Sequence, residues 1–254
     1  MGTSRTPVPA DLPEVSFSDD GAVRHLHLGS PWIQGSMRID APFDIELEYV
    51  QRMMAWLLFR EPQAVAGLKA MQLGLGAAAI TKFCFKRLRM HTMAVELNPQ
   101  VVQACRLWFK LPPDTERLQV VLADAAREIR QERHQGKVDA LQVDLYDQDA
   151  AAPVLDSEDF YADCRRLLSD EGVMTVNLFG RHASFERSMA HMAAAFGEQA
   201  LWAFRPTREG NTVVLAQRRI DRPARTLLVQ RAEAIQSRWG LPAPKWLRLL
   251  KPCA

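Results

Sequence analysis

The sequence predicts an α/β protein with a doubly wound, mainly parallel sheet and a small N-terminal β-hairpin subdomain. Three observations carry that expectation. From Val65 onward, short apolar runs alternate with helix-patterned segments, as buried parallel strands and their crossover helices do. The first run ends in Gly74-Leu75-Gly76 and opens onto an apolar helix pattern starting at Ala77. The next run ends in Glu96, roughly 20 residues beyond the glycines, the spacing at which a strand-tip carboxylate meets a nucleoside bound over a glycine turn.

In chain order, residues 1–17 read as a flexible leader, polar and Pro-rich. Residues 18–62 read as a β-hairpin and a covering helix. Val23 to Leu28 alternates polar and apolar, and Ile33 to Ile39 follows Gly29-Ser30-Pro31, as two paired strands would. Asp44 to Phe59 carries Ile45, Tyr49, Met53 and Leu57 at helical spacing, and Pro62 ends it. Residues 63–218 read as a Rossmann-like nucleoside-binding unit. Its strands are expected near 68–73, 91–95, 118–122, 138–143, 171–178 and 212–217, and its helices near 77–88, 99–109, 124–133, 157–168 and 184–196. Ala200 to Phe204 and Val213 to Gln217 are close enough to pair antiparallel at an edge. Residues 219–254 read as a helical tail.

Composition narrows the class. With 254 residues, 48% hydrophobic and 24% charged, the chain is an ordinary globular domain with an appendage. A net charge of +2 without a basic stripe argues against nucleic acid as a partner. Cys84, Cys105, Cys164 and Cys253 are scattered, which suits reduced thiols of a cytoplasmic protein. Without a secretory leader or an apolar run of about 20 residues, no membrane partner is expected. His25 and His27 share a strand face without a third ligand, so they read as surface residues and no metal is expected. Trp56 and Trp108, both in helical apolar stripes, are expected in the core.

Three acids share one structural address. Glu96, Asp124 and Asp144 each stand at the C-terminal tip of a successive strand, facing the crevice where open α/β sheets bind ligands. Each also has a plain structural role available. Glu96 could cap the helix that Pro99 starts, Asp124 is a good N-cap, and Asp144 and Asp147 could form turns.

The ordered set Gly74-x-Gly76, Val95-Glu96-Leu97-Asn98-Pro99, Ala123-Asp124-Ala125, Val143-Asp144-Leu145-Tyr146-Asp147, Phe160-Tyr161 and Gly172 to Asn177 resembles the spermidine synthase family. These are polyamine aminopropyltransferases on the class I S-adenosylmethionine methyltransferase fold. The resemblance implies that Gln34, Gly74, Gly76, Glu96, Leu97, Asp124 and Ala125 bind the nucleoside. Glu96 would take the ribose hydroxyls and Asp124 the adenine amino group. Asp144 would be the base that deprotonates the attacking amine, and Asp147 would help hold a cationic chain. Tyr49, Gln51 and Tyr146 would contact substrate. The co-substrate would be decarboxylated S-adenosylmethionine, or S-adenosylmethionine in a methyl-transferring variant, and the partner a small amine. Members of such a family are often homodimers.

The chain departs from that pattern in several places. Ala77-Ala78-Ala79 stands where an acid follows the glycines, Gln51 replaces a glutamate, and Leu145 and Gln148 alter the Asp144 loop. Phe204 to Asn211 brings Arg205 and Arg208 to a region that closes the amine pocket in the family. The acids that meet a polyamine are thus expected to be missing, while those that hold adenosine remain. Methyl transfer, or nucleoside binding without catalysis, are the competing expectations.

Overall fold

The computed structural model describes residues 12–145, 155–179 and 182–254. An eight-stranded sheet runs through its centre. It is built from β4 (Lys69–Leu73), β5 (His91–Glu96), β6 (Leu118–Leu122), β7 (Val138–Val143), β8 (Leu168–Leu178), β9 (Leu201–Phe204), β10 (Thr212–Gln217) and β11 (Leu250–Pro252). The order is β11-β9-β10-β8-β7-β4-β5-β6, with β4 to β8 parallel and β9 to β11 antiparallel. Strand order reverses between β4 and β7, and in such sheets the reversal opens a crevice at the strand tips. This is the doubly wound, mainly parallel architecture that the alternation implied.

A separate sheet holds β1 (Val15–Asp20), β2 (Val23–Leu28) and β3 (Gly35–Arg38), all antiparallel. The sequence predicts two strands here, with residues 15–17 in the leader. The extra strand was hidden because Ser16 to Asp20 are all exposed, so no apolar alternation marks it.

Three expected helices come out broken. The segment 44–59 divides into α1 (Glu48–Arg52) and a 3-10 turn over Ala55–Phe59. Met53 to Phe59 are all buried, so this run packs on every side and has no polar face to pattern a long helix. The segment 77–88 divides into α2 (Ala79–Lys82) and a π turn over Phe83–Arg87. Buried Lys82 donates its ammonium to the Phe109 carbonyl at 2.7 Å, and burial lowers its pKa to about 8. After Asp124, α4 spans only Ala125–Glu128.

Other helices follow their local signals. In α3 (Pro99–Trp108) the N-cap Asn98 side chain accepts from Gln100 N at 2.9 Å, with Pro99 at the first turn. In α5 (Glu158–Leu167) Ser157 accepts from Phe160 N at 3.1 Å. The longer α6 (His182–Phe196) follows β8.

The tail forms α7 (Arg225–Trp239) and α8 (Ala243–Leu249) as expected, but then turns into β11. That strand pairs with β9 through Leu250↔Phe204 and Pro252↔Trp202. Trp56 is fully buried, in one cluster with Trp246, whereas Trp108 is 46% exposed. The core expectation for Trp108 is therefore corrected: it stacks on Phe17 of β1 with ring centroids 5.1 Å apart. Cys84, Cys105 and Cys164 are buried free thiols, and burial pushes Cys84 and Cys105 up to about 12. Among the described residues, no helix is long and apolar enough to cross a membrane.

Candidate active site

Parallel register sets the site. Leu73 pairs with Val95 on one side and Val143 on the other, and Val143 pairs with Val176. The next residues, Gly74, Glu96, Asp144 and Asn177, therefore emerge together at one end of four adjacent strands. Gly74 adopts φ +83°, a conformation in which a side chain is strained. A Cβ there would also lie 2.2 Å from the Asp144 carbonyl oxygen. Gly74 thus lets the glycine turn sit directly against the strand tip that carries Asp144.

Glu96 organises that turn. One carboxylate oxygen accepts from Leu75 N and the other from Asn98 N, each at 2.8 Å. Burial raises its pKa above the ordinary value, and these backbone donors pull it back down.

Asp144 is held from two sides. Tyr49 of α1 donates its hydroxyl to Oδ2 at 3.2 Å, and Asn177 of β8 donates its side-chain amide to Oδ1 at 2.9 Å. Asn177 in turn accepts from the Asn211 amide at 3.1 Å. Burial raises the Asp144 pKa above the usual carboxylate value, while the Asn177 and Tyr49 hydrogen bonds oppose the rise. The result is a carboxylate with raised basicity and a fixed orientation.

These groups line a cavity of about 530 Å³. Of the residues singled out from sequence, Gln34, Tyr49, Gly76, Glu96 and Asp144 face it together. Gly74 packs behind Asp144. Leu97 is partly exposed and Ala125 is buried at the start of α4. Asp124 Oδ1 accepts from Arg127 N at 2.9 Å, so its capping role is realised. Gln51 turns away and donates to the Ile45 carbonyl at 2.8 Å, bracing the loop ahead of α1. Tyr146 and Asp147 lie outside the described residues.

The cavity also has residues that the sequence reading missed. Glu46, Glu48, Asn177, Glu209 and Asn211 all line it. The expectation that anionic walls are missing is therefore corrected. Asn177 was findable, because it occupies the same strand-tip address as Glu96 and Asp144. Glu209 was obscured by its neighbours Arg205 and Arg208, which are exposed and are not among the cavity's lining residues. Glu46 lies in a loop where spacing says nothing about direction.

The alanines after the glycine turn have a packing cause. A Cβ on Gly35 of β3 would lie 2.5 Å from Ala77 N and 2.7 Å from its Cβ. The N-terminal sheet presses so closely that residue 77 is 2% exposed, leaving no room for an acid.

No family model matches the chain. Two proteins named polyamine aminopropyltransferase are similar over nearly its whole length. That of Neisseria meningitidis serogroup A is 32% identical, and that of Chromobacterium violaceum 33% identical; each match covers 96% of this chain and 92% of the relative. Among solved structures, a probable spermidine synthase from Corynebacterium glutamicum superposes with a TM-score of 0.71 at 17% identity, covering 96% of this chain and 93% of that one. The fold is shared with that structure, and the extent and level of identity to the two sequence relatives make this chain a member of the polyamine aminopropyltransferase family.

Proposed function

We propose that this chain transfers an aminopropyl group from decarboxylated S-adenosylmethionine to a di- or polyamine, with Asp144 as the base. Asp144 itself carries the reading. It is a partly buried strand-tip carboxylate of raised basicity, oriented by Tyr49 and Asn177 inside the cavity. An ammonium is no nucleophile until it loses a proton, and a carboxylate within hydrogen-bond reach supplies that step.

The nucleoside end is assigned to Gln34, Gly76 and Glu96, which line the same cavity; a Cβ on Gly76 would lie 2.9 Å from the Gln34 carbonyl oxygen. Glu96 holds the ribose hydroxyls, while Leu97, Asp124 and Ala125 border the adenine. Tyr146 and Asp147 belong to the acceptor side. The deprotonated amine nitrogen attacks the aminopropyl carbon next to sulfur. A carbon–nitrogen bond forms, the carbon–sulfur bond breaks, and its electron pair stays on sulfur to give neutral methylthioadenosine. Asp144 retains the proton. Fixed placement of the two reactants supplies much of the rate.

Methyl transfer from intact S-adenosylmethionine gains little from Ala77, since packing against Gly35 already accounts for a small residue there. The test is product analysis with each sulfonium donor and a panel of amines. Methylthioadenosine release that falls about 10²–10⁴-fold in Asp144→Asn is expected. Turnover only with intact S-adenosylmethionine, or an unaffected Asp144→Asn, would refute the assignment.

A further inference from the structure

Helix α1 is five residues long, Glu48–Arg52, too short to keep its place without tertiary contacts. It carries Tyr49, so whatever fixes α1 also fixes the phenol that donates to Asp144. One such contact comes from inside the central sheet. Thr175 of β8 is 0% exposed, and its hydroxyl donates to the Met53 carbonyl at 3.0 Å. Met53 is the C-cap of α1, and its own N–H donates to the Tyr49 carbonyl at 2.9 Å. A hydrogen-bonded path thus runs from β8 through Met53 to the backbone of Tyr49.

Thr175 and Asn177 stand two apart on β8, so both project from the same face of the sheet. Asn177 lines the cavity and donates to Asp144, whereas Thr175 is not among the lining residues. Its strand neighbours Val173, Met174 and Val176 are all apolar and buried. A hydroxyl in such surroundings costs desolvation unless it is bonded, and the bond it makes is the one to α1. Other ties to this helix work differently. Arg52 reaches the Arg205 carbonyl and Gln51 the Ile45 carbonyl through their own side chains, while Thr175 takes hold of the backbone.

We propose that Thr175 is a positioning residue: by holding the Met53 carbonyl it seats α1 where the Tyr49 hydroxyl reaches Asp144. The role of Asp144 is taken from the functional reading above, but the test reads its carboxyl directly. The full chain is labelled with 13C at the aspartate carboxyl carbons and titrated by NMR, and the Asp144 signal is assigned by its loss in Asp144→Asn. Thr175→Val keeps the shape and removes the donor, so the Asp144 pKa is expected to rise by roughly half a unit, part of the effect of losing one hydrogen bond to a charged group. Glu46, Glu48, Glu96 and Glu209 share the cavity and are the same in every variant, so differences between variants isolate this bond. In a Tyr49→Phe background Thr175→Val is expected to add nothing, and Thr175→Ser, which keeps the hydroxyl, to match the wild type. An Asp144 pKa unmoved by Thr175→Val, or moved equally with and without the Tyr49 hydroxyl, overturns the proposal. Should Thr175→Val unfold, Thr175→Cys takes its place, since a thiol is a weak donor; equal values for the Cys and Ser variants then overturn it. Full turnover in Asp144→Asn would remove the base assignment and leave the positioning of Tyr49 standing.

Discussion

Tyr49 and Asp144 lie 95 residues apart in sequence and meet with the phenol oxygen 3.2 Å from the carboxylate. The contact joins the N-terminal covering segment to a strand tip of the central sheet, so the proposed base is complete only when the two units pack together. Its effect on acidity has a definite sign. Asp144 acts as a base only when ionised, burial raises its pKa, and the Tyr49 and Asn177 hydrogen bonds lower it. In Tyr49→Phe the pKa should climb further. The acid limb of the kcat/KM profile is then expected to move to higher pH by about one unit, the scale of one hydrogen bond to a charged group. A limb that stays put, or moves to lower pH, would separate that limb from Asp144.

Glu96→Gln tests the nucleoside end. Each Glu96 oxygen accepts a backbone N–H, from Leu75 and from Asn98, and an amide offers a donor to one of them. Nucleoside affinity is expected to fall about 10–100-fold, or about 1.4–2.8 kcal/mol, read by titration with methylthioadenosine. In the wild type, burial holds the Glu96 pKa above its ordinary value. Affinity should therefore be full above that raised pKa and decline as pH falls through it. Binding indifferent to the substitution would leave Glu96 a purely structural brace.

Gly74→Ala probes the close approach of the glycine turn to Asp144. The residue holds φ +83°, and a Cβ would lie 2.2 Å from the Asp144 carbonyl oxygen. Strain of about 1–3 kcal/mol in such a backbone region adds to the displacement of a backbone atom. Both Tm and kcat are expected to drop. A matched Gly67→Ala has open space around the new Cβ, so it should leave kcat unchanged; a loss there as large as at Gly74 would count against the steric account.

What the sequence revealed and what it hid follow from the same physics. Parallel strands buried on both faces are apolar throughout, so β4 to β8 were legible, and their C-terminal tips led to Glu96 and Asp144. Strand β1 was hidden because Ser16 to Asp20 face solvent. The tail's β11 was hidden because three residues ending in Pro252 carry no strand period. Glu46 and Glu209 escaped because loops obey no periodicity, so their direction depends on contacts such as Thr207 with Asn211. Ala77 differs again. Its small side chain fits the close approach of Gly35 on another sheet, a contact that no spacing in the sequence records.

Trp56 and Trp108 give the last prediction. Each follows an apolar stripe at helical spacing, so pattern alone treats them alike. In the structure Trp56 is 0% exposed and clusters with Phe59, Trp246 and Leu250, whereas Trp108 is 46% exposed and stacks on Phe17. Trp56→Ala removes a fully enclosed side chain where the central sheet and C-terminal tail meet, so about 3–5 kcal/mol should be lost. Trp108→Ala forfeits one surface aromatic contact, worth about 0.5–1.5 kcal/mol. Urea unfolding followed by circular dichroism measures both, with the midpoint shift for Trp56→Ala at least twice the other. Equal shifts would mean that Trp108 is covered in solution, by a second copy or otherwise.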